Sequence, residues 1–440
     1  MKKKILITIV CIVGIVITGL LALMGIAARF NGYWCYDEYG LLLNSRFGFV
    51  KAYQVTDSTA IRVEDYDGFI LGNKLIFGLG KLEIDKQGEV LNLIDNGSQT
   101  VYSSKKVEKS FLEAKKRVSG DPRDQFLLFY ETLKENYAFS ELYDVDFDAA
   151  YRKHIGLIDE NTPDETLFQC MTEMLKPLND DHVYLEADDR FYSPYVNPSE
   201  FWGDKTKVQE LVNLIKAKYL KGFTKFKDSP VRYATLNDHT GYIVLSGMGT
   251  KTLDQARTTK KAFNQIIKEF QDKKTIVIDI RFNPGGFDAA SLAINGYFTQ
   301  KPYLAYQKQA FYKGSFTEPR DIYVYPNDLY FGGDIILLTS KYTVSAAENF
   351  AQALTANPEG KVMVVGEETK GFYSDCIPRK IKKGWYFGLS NERYLSADGK
   401  VLEGTSVNLD VAIPVQYSDV QKGIDPVLEW VLSSGVLGEK

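Results

Sequence analysis

The chain has 440 residues, of which 45% are apolar and 25% charged, and a formal net charge of −4. That length exceeds one ordinary hydrophobic core and points to roughly two or three domains, and the composition excludes a disordered chain. The mild negative charge leaves no electrostatic footprint for nucleic acid. The four cysteines are too few for a disulfide framework. Cys11 lies in an apolar leader, and Cys35, Cys170 and Cys376 lack metal-ligand spacing; a Cys35–Cys376 bridge is open to the chain in an oxidising compartment.

The chain begins Met1-Lys2-Lys3-Lys4, and no charge interrupts residues 5–28. As a helix that stretch would span about 36 Å, enough to cross a bilayer. The lysines would stay cytoplasmic and place the rest outside. We therefore expect residues 1–28 to be a transmembrane anchor. A cleavable signal peptide with a small-residue site at Gly25-Ile26-Ala27 is the rival reading. Cys11 lacks a preceding small residue and makes a poor lipoprotein site. The expected location is extracytoplasmic, membrane-anchored or secreted.

Residues 31–104 are rich in β-branched and aromatic side chains. Asp85-Lys86-Gln87-Gly88 and Asn96-Gly97 are hairpin signals between apolar runs. They predict a small all-β domain, a meander or barrel, with a structural or substrate-guiding role. Across 105–190 the pattern becomes helical: Phe126, Phe129, Leu133 and Tyr137 share one face, and so do Leu167, Met171, Met174 and Leu178. Thr162-Pro163-Asp164-Glu165 reads as an N-cap, a first-turn proline and a capping-box glutamate. This helical subdomain ends in the loop Asn179-Asp180-Asp181-His182.

Residues 191–440 alternate strands and helices. Tyr242–Leu245, Ile276–Ile280, Ile335–Leu338 and Val362–Val365 read as buried strands, with a helix over Thr252–Lys274 and another after Ser345. Asp425-Pro426 opens a terminal helix. The fold class is α/β with parallel pairing.

Two constellations could carry chemistry. Asp279-Ile280-Arg281-Phe282-Asn283-Pro284-Gly285-Gly286 sets a Gly-Gly turn after a buried strand. Glycines there let a substrate approach the backbone, and their amides can stabilise an oxyanion; a plain strand-to-helix turn reads equally well. Thr343-Val344-Ser345-Ala346-Ala347-Glu348 opens a helix. Ser345 and Glu348 fit a capping box, and a serine at a helix N-terminus also suits nucleophilic attack, with the Ala346 amide facing the developing charge.

Together with Gly241-Tyr242-Ile243 and Gly366-Glu367-x-Thr369-x-Gly371, these motifs resemble, in order and spacing, the tail-specific or C-terminal-processing serine peptidases over roughly 110–435. The resemblance implies a crotonase-like (ClpP/crotonase-type) α/β core, no PDZ insert, and cleavage of unfolded or C-terminal protein segments through an acyl-enzyme. It makes Ser345 the nucleophile, with oxyanion donors at Gly285, Gly286 and Ala346. Many relatives use a lysine just after the Gly-Glu-x-Thr-x-Gly motif, but Phe372 stands there, and Lys370 lies two residues early. The tricorn-like branch uses serine, histidine and glutamate. Asp180-Asp181-His182 matches its histidine loop. Glu403 matches its glutamate in part, because Ser406 and Leu409 replace the expected glycine and proline.

Neutral imidazole takes a serine proton near neutrality, whereas a lysine must first be desolvated. This favours the triad Ser345–His182–Glu403, with Lys370 as the alternative base. His154 and His239 read as surface residues. No metal or organic cofactor is expected, and the partner is a peptide or unfolded protein. The alternative from another class is a non-catalytic binding protein for an apolar ligand or peptide on the same fold.

Overall fold

The computed structural model describes residues 24–435 except 79, 221 and 253. The leader expected at residues 5–28 therefore lies largely outside the described residues. Among the described residues no helix is long and apolar enough to cross a membrane. Cys35, Cys170 and Cys376 are free thiols.

The molecule is mixed α/β with an all-β N-terminal region. That region is an eleven-stranded sheet that meanders from Gly32–Tyr36 to Thr100–Tyr102 and takes in Lys105–Val107 and Lys116–Arg117 at its margins. Gln87 pairs with Val90, so Gly88 and Glu89 form the two-residue turn; Gly88 supplies the positive φ of 60° that this turn requires. Residues 96–99 turn the chain from Val90–Asp95 into Thr100–Tyr102.

The central sheet has seven strands in chain order: β1 (Thr224–Lys225), β2 (Val231–Asn237), β3 (Thr240–Leu245), β4 (Thr275–Asp279), β5 (Asp334–Thr339), β6 (Val362–Gly366) and β7 (Val411–Ala412). From β3 to β7 the pairing is parallel. Parallel strands covered on both faces need apolar side chains of both parities. Ile276, Ile278, Ile335 and Leu337 pack on one face against Phe263, Ile266 and Phe350. Val277, Ile336 and Leu338 pack on the other against Leu211, Val427 and Leu428. The helix expected over Thr252–Lys274 is shorter, Gln255–Glu269, because the Asp254 side chain caps it by accepting from Arg257 N.

The helical segment packs Phe126, Phe129, Leu133 and Met171 onto a four-stranded sheet through Leu185, Trp385 and Phe387. Two expectations need correction here. Pro163, not Thr162, is the N-cap of the Asp164–Leu175 helix, because the Thr162 hydroxyl bonds Asp159 instead. His154 is buried, 8% exposed, because the packed Phe147–Ile155 helix turns it inward. His239 stays exposed in its turn.

In the four-stranded sheet, Tyr184–Ala187 pairs with Trp385–Ser390, which pairs with Cys376–Lys382. This register carries the loop ending in His182 alongside the segment that follows the 366–371 motif.

Candidate active site

Ser345 sits between β5 and the Ala346–Thr355 helix with φ 64° and ψ −132°. A non-glycine residue there is strained, by about 1–3 kcal/mol. The surroundings hold it. Its amide donates to Phe372 O at 3.0 Å and to Glu348 Oε2 at 3.2 Å. Glu348 also accepts from Gly371 N (2.7 Å) and Phe372 N (3.0 Å), and burial pushes its carboxyl up to about 7. The expected capping box is thus present, and Glu348 pins the serine turn to the 371–372 backbone. Ser345 lines a cavity of about 430 Å³.

Gly285 lies against this serine. A Cβ on it would stand 2.6 Å from Ser345 Cβ and 2.8 Å from Val344 O, so only glycine fits. Its own amide donates to Asn283 Oδ1 at 2.9 Å, so it is occupied. The amides of Gly286 and Ala346 have no acceptor among the described residues.

The first half of that motif does something else. Arg281 is fully buried and pairs with Asp279 at 2.7 Å and Asp425 at 3.0 Å. Asp279 also accepts from Tyr242 Oη, and Asp425 caps the Pro426–Ser433 helix. These groups fasten β3, β4 and the last helix together beneath the site.

His182 lines the same cavity as Ser345. Asp180, buried and bonded to Tyr137 Oη at 3.0 Å, accepts the His182 amide at 2.9 Å. Cys376 Sγ donates to His182 O at 3.1 Å. His182 Nδ1 is buried without a partner. Glu403 is buried; its Oε2 accepts from Tyr373 N and Ser374 N, and its Oε1 has no partner. Burial, and then the nearby Asp180, hold its carboxyl well above the ordinary range. No hydrogen bond joins Ser345, His182 and Glu403 to one another. Ser406, which departs from the family glycine, accepts from Thr369 N at 2.8 Å and steadies the Glu403 loop.

Lys370 points elsewhere. Its ammonium pairs with Asp181 at 2.6 Å and lies over the rings of Tyr195 and Tyr342. Phe372 is buried against Tyr195. Among the described residues no cluster of His, Cys, Asp and Glu could hold a metal ion.

The opposite wall of the cavity comes from the N-terminal sheet through Leu41, Leu43, Leu75, Leu82, Leu93 and Tyr102. A buried clamp secures the sheet's 96–99 turn at the cavity edge: Lys308 Nζ donates to Ser98 O (2.8 Å) and Thr100 Oγ1 (2.9 Å) and pairs with Asp375 and Glu392 at 2.7 Å each. The hairpin signals in this region gave an all-β domain but no sign that one face of it borders Ser345. The anchoring roles of Asp180 and Lys308 were likewise missed, and no local signal marks them.

Residues 239–413 match the model of Peptidase family S41. No curated protein matches the chain. Among solved structures, a protein of Parabacteroides merdae ATCC 43184 described as a candidate peptidase is 22% identical with a TM-score of 0.62, covering 73% of this chain and 98% of that one. Mature CPAF, solved in complex with lactacystin, is 11% identical with a TM-score of 0.54, covering 73% and 99%. These structures share the fold. The family segment contains Ser345, Gly285, Gly286 and Glu403, whereas His182 lies outside it. The strained serine and the two free amides all lie within residues 239–413, the segment that is similar to Peptidase family S41.

Proposed function

We propose that the protein is a serine endopeptidase that works through an acyl-enzyme, on the tricorn-like pattern of the family. The observation that carries this is Ser345: strained, pressed against Gly285, and open to a cavity that His182 also lines. His182 takes the hydroxyl proton as Ser345 Oγ attacks the peptide carbonyl carbon. The carbonyl oxygen becomes an oxyanion and accepts from the Gly286 and Ala346 amides, helped by the helix N-terminus. His182 then gives its proton to the departing amine. Water repeats the sequence on the ester and frees Ser345. The orphaned His182 Nδ1 and Glu403 Oε1 are the complementary atoms that a histidine–carboxylate pair uses to fix the tautomer. Gly285 contributes closeness rather than a donor. Lys370 Nζ is paired with Asp181 and not with Ser345, which disfavours the dyad.

The substrate in this reading is an unfolded or C-terminal protein segment. The leader places the enzyme outside the cytoplasm; membrane fractionation with N-terminal sequencing decides whether it is anchored or released. The leucine and aromatic side chains on one wall of the cavity also favour a second reading, a carrier of an apolar ligand.

A fluorophosphonate probe separates the two. The peptidase reading expects labelling at Ser345, and it expects Ser345→Ala to lose both labelling and cleavage of an unstructured peptide while unfolding at the same temperature. Normal turnover by Ser345→Ala would refute the assignment.

A further inference from the structure

Charged side chains buried near the cavity are nearly all matched. Lys308 has Asp375 and Glu392. Asp95, on the cavity wall, accepts from Gly97 N and Ser98 N. Arg379 breaks this pattern. It lines the cavity and is 6% exposed, yet no carboxylate pairs with it. Its Nη2 donates to Tyr39 O, its Nη1 makes a long contact of 3.3 Å to Pro378 O, and its Nε has neither solvent nor partner. Among the described residues the titratable groups that face it are the Tyr66 and Tyr102 phenols and the Cys376 thiol, none of them a carboxylate. Burial pulls its ordinary pKa down to about 10, the direction expected of a cation without a counter-ion.

A desolvated guanidinium is costly unless an anion answers it, and the cavity wall formed by Leu41, Leu43, Leu75, Leu82 and Leu93 is apolar. We propose that Arg379 is a carboxylate-binding subsite, so that the cavity takes an extended apolar peptide segment bearing a carboxylate. The inference rests on the peptidase reading of Ser345 and names its substrate class. Carboxylates match the planar fork of arginine, and a small shift of the cavity wall brings Nε into that pairing. The strand fixes the spacing. Arg379 lies three residues along Cys376–Lys382 from the residue that holds the His182 carbonyl, about 10 Å of extended backbone. An extended substrate covers that span in about three residues, so the carboxylate belongs about three residues from the cleaved bond. It can be an α-carboxylate or an acidic side chain.

The test uses the full chain and two sets of fluorogenic peptides with one apolar sequence. One set ends in a free acid or an amide. The other is amidated throughout and carries Glu or Gln at successive distances from the cleaved bond. The wild-type chain is expected to favour the anionic member of one set by about tenfold or more in kcat/KM, the scale of one charge-assisted hydrogen bond. Preference in the first set identifies an α-carboxylate, and preference in the second an acidic side chain. Arg379→Met should erase the preference and Arg379→Lys should keep part of it, both without lowering the unfolding temperature. Equal handling of acid and amide, and of Glu and Gln, overturns the subsite while leaving the peptidase reading intact. A lower unfolding temperature with an equal loss on every peptide assigns Arg379 a structural role and also overturns it. Fluorescence anisotropy of the same peptides on Ser345→Ala separates the two readings. If nothing is hydrolysed but anionic peptides still bind about tenfold tighter, the subsite stands and the peptidase reading falls.

Discussion

The two halves of Asp279–Gly286 lie a few residues apart and are built on opposite principles. At the Arg281 end, a fully buried guanidinium meets two buried carboxylates, one of which also caps a helix. At the Gly285–Gly286 end, the backbone presses on a strained serine, and the Gly286 and Ala346 amides have no acceptor among the described residues. Buried polar groups in scaffolds are paired. Strain and open donors persist only where the surroundings force them, which makes them a mark of chemistry. One motif therefore supplies a bolt and a tool.

If that division is right, perturbing one end should change rate and perturbing the other should change stability. The largest effect is expected at His182. His182→Ala should lower kcat on a peptide substrate by several orders of magnitude, since Ser345 loses its proton acceptor, with the urea midpoint unchanged. Lys370→Ala should keep substantial activity. An inactive Lys370→Ala beside a nearly normal His182→Ala would restore the dyad. Next comes Arg281→Met, which strands Asp279 and Asp425 and should reduce stability by about 3–5 kcal/mol, read from the urea midpoint. A variant of normal stability would show that the bolt is misassigned.

A pH series tests the buried carboxyls together. Glu348 and Glu392 are pushed up to about 7 and Asp288 to about 6, each chiefly by burial. Their folded values lie above the unfolded ones, so their contribution is complete below about pH 4 and is lost as pH rises through 6 to 7. A group raised from 4.5 to about 7 is worth up to about 3 kcal/mol. The unfolding temperature should therefore fall between about pH 5 and pH 8; a rise over that window contradicts the account. The smallest effect is expected from Ser345→Gly. Glycine tolerates φ 64°, so the variant should be inactive yet at least as stable as Ser345→Ala, by about 1 kcal/mol once glycine's entropy is deducted. A less stable glycine variant would mean that the turn is not strained.

Much of this could be read from the chain. Continuous apolar runs at 276–280 and 335–338 announce strands covered on both faces, and the Gly-Gly turn and helix-opening serine follow directly from them. The capping box at Ser345 and Glu348 forms as expected, but local sequence cannot show that Glu348 would also reach residues 371 and 372. The cavity was out of reach for a different reason. Leu41, Leu43, Leu75 and Leu93 alternate as inward residues do, but alternation does not say whether the space they face is filled or hollow. Arg379 was invisible because a lone arginine in a strand looks the same with a counter-ion as without one. His154 sits beside Arg152 and Lys153 and was taken for solvated, although one helical residue can turn inward while its neighbours face out.

The bolt also has a place in time. Arg281 lies two residues beyond the central strand β4, but Asp425, its second counter-charge, is made 144 residues later. A nascent chain can carry Ser345, His182 and Glu403 and still hold Arg281 beside only Asp279. Two carboxylates secure that cation where one leaves it partly answered. The segment that leads into the Gly-Gly turn is thus locked only after the Pro426–Ser433 helix has been made and docked, which ties the assembly of the site to a segment well downstream of it.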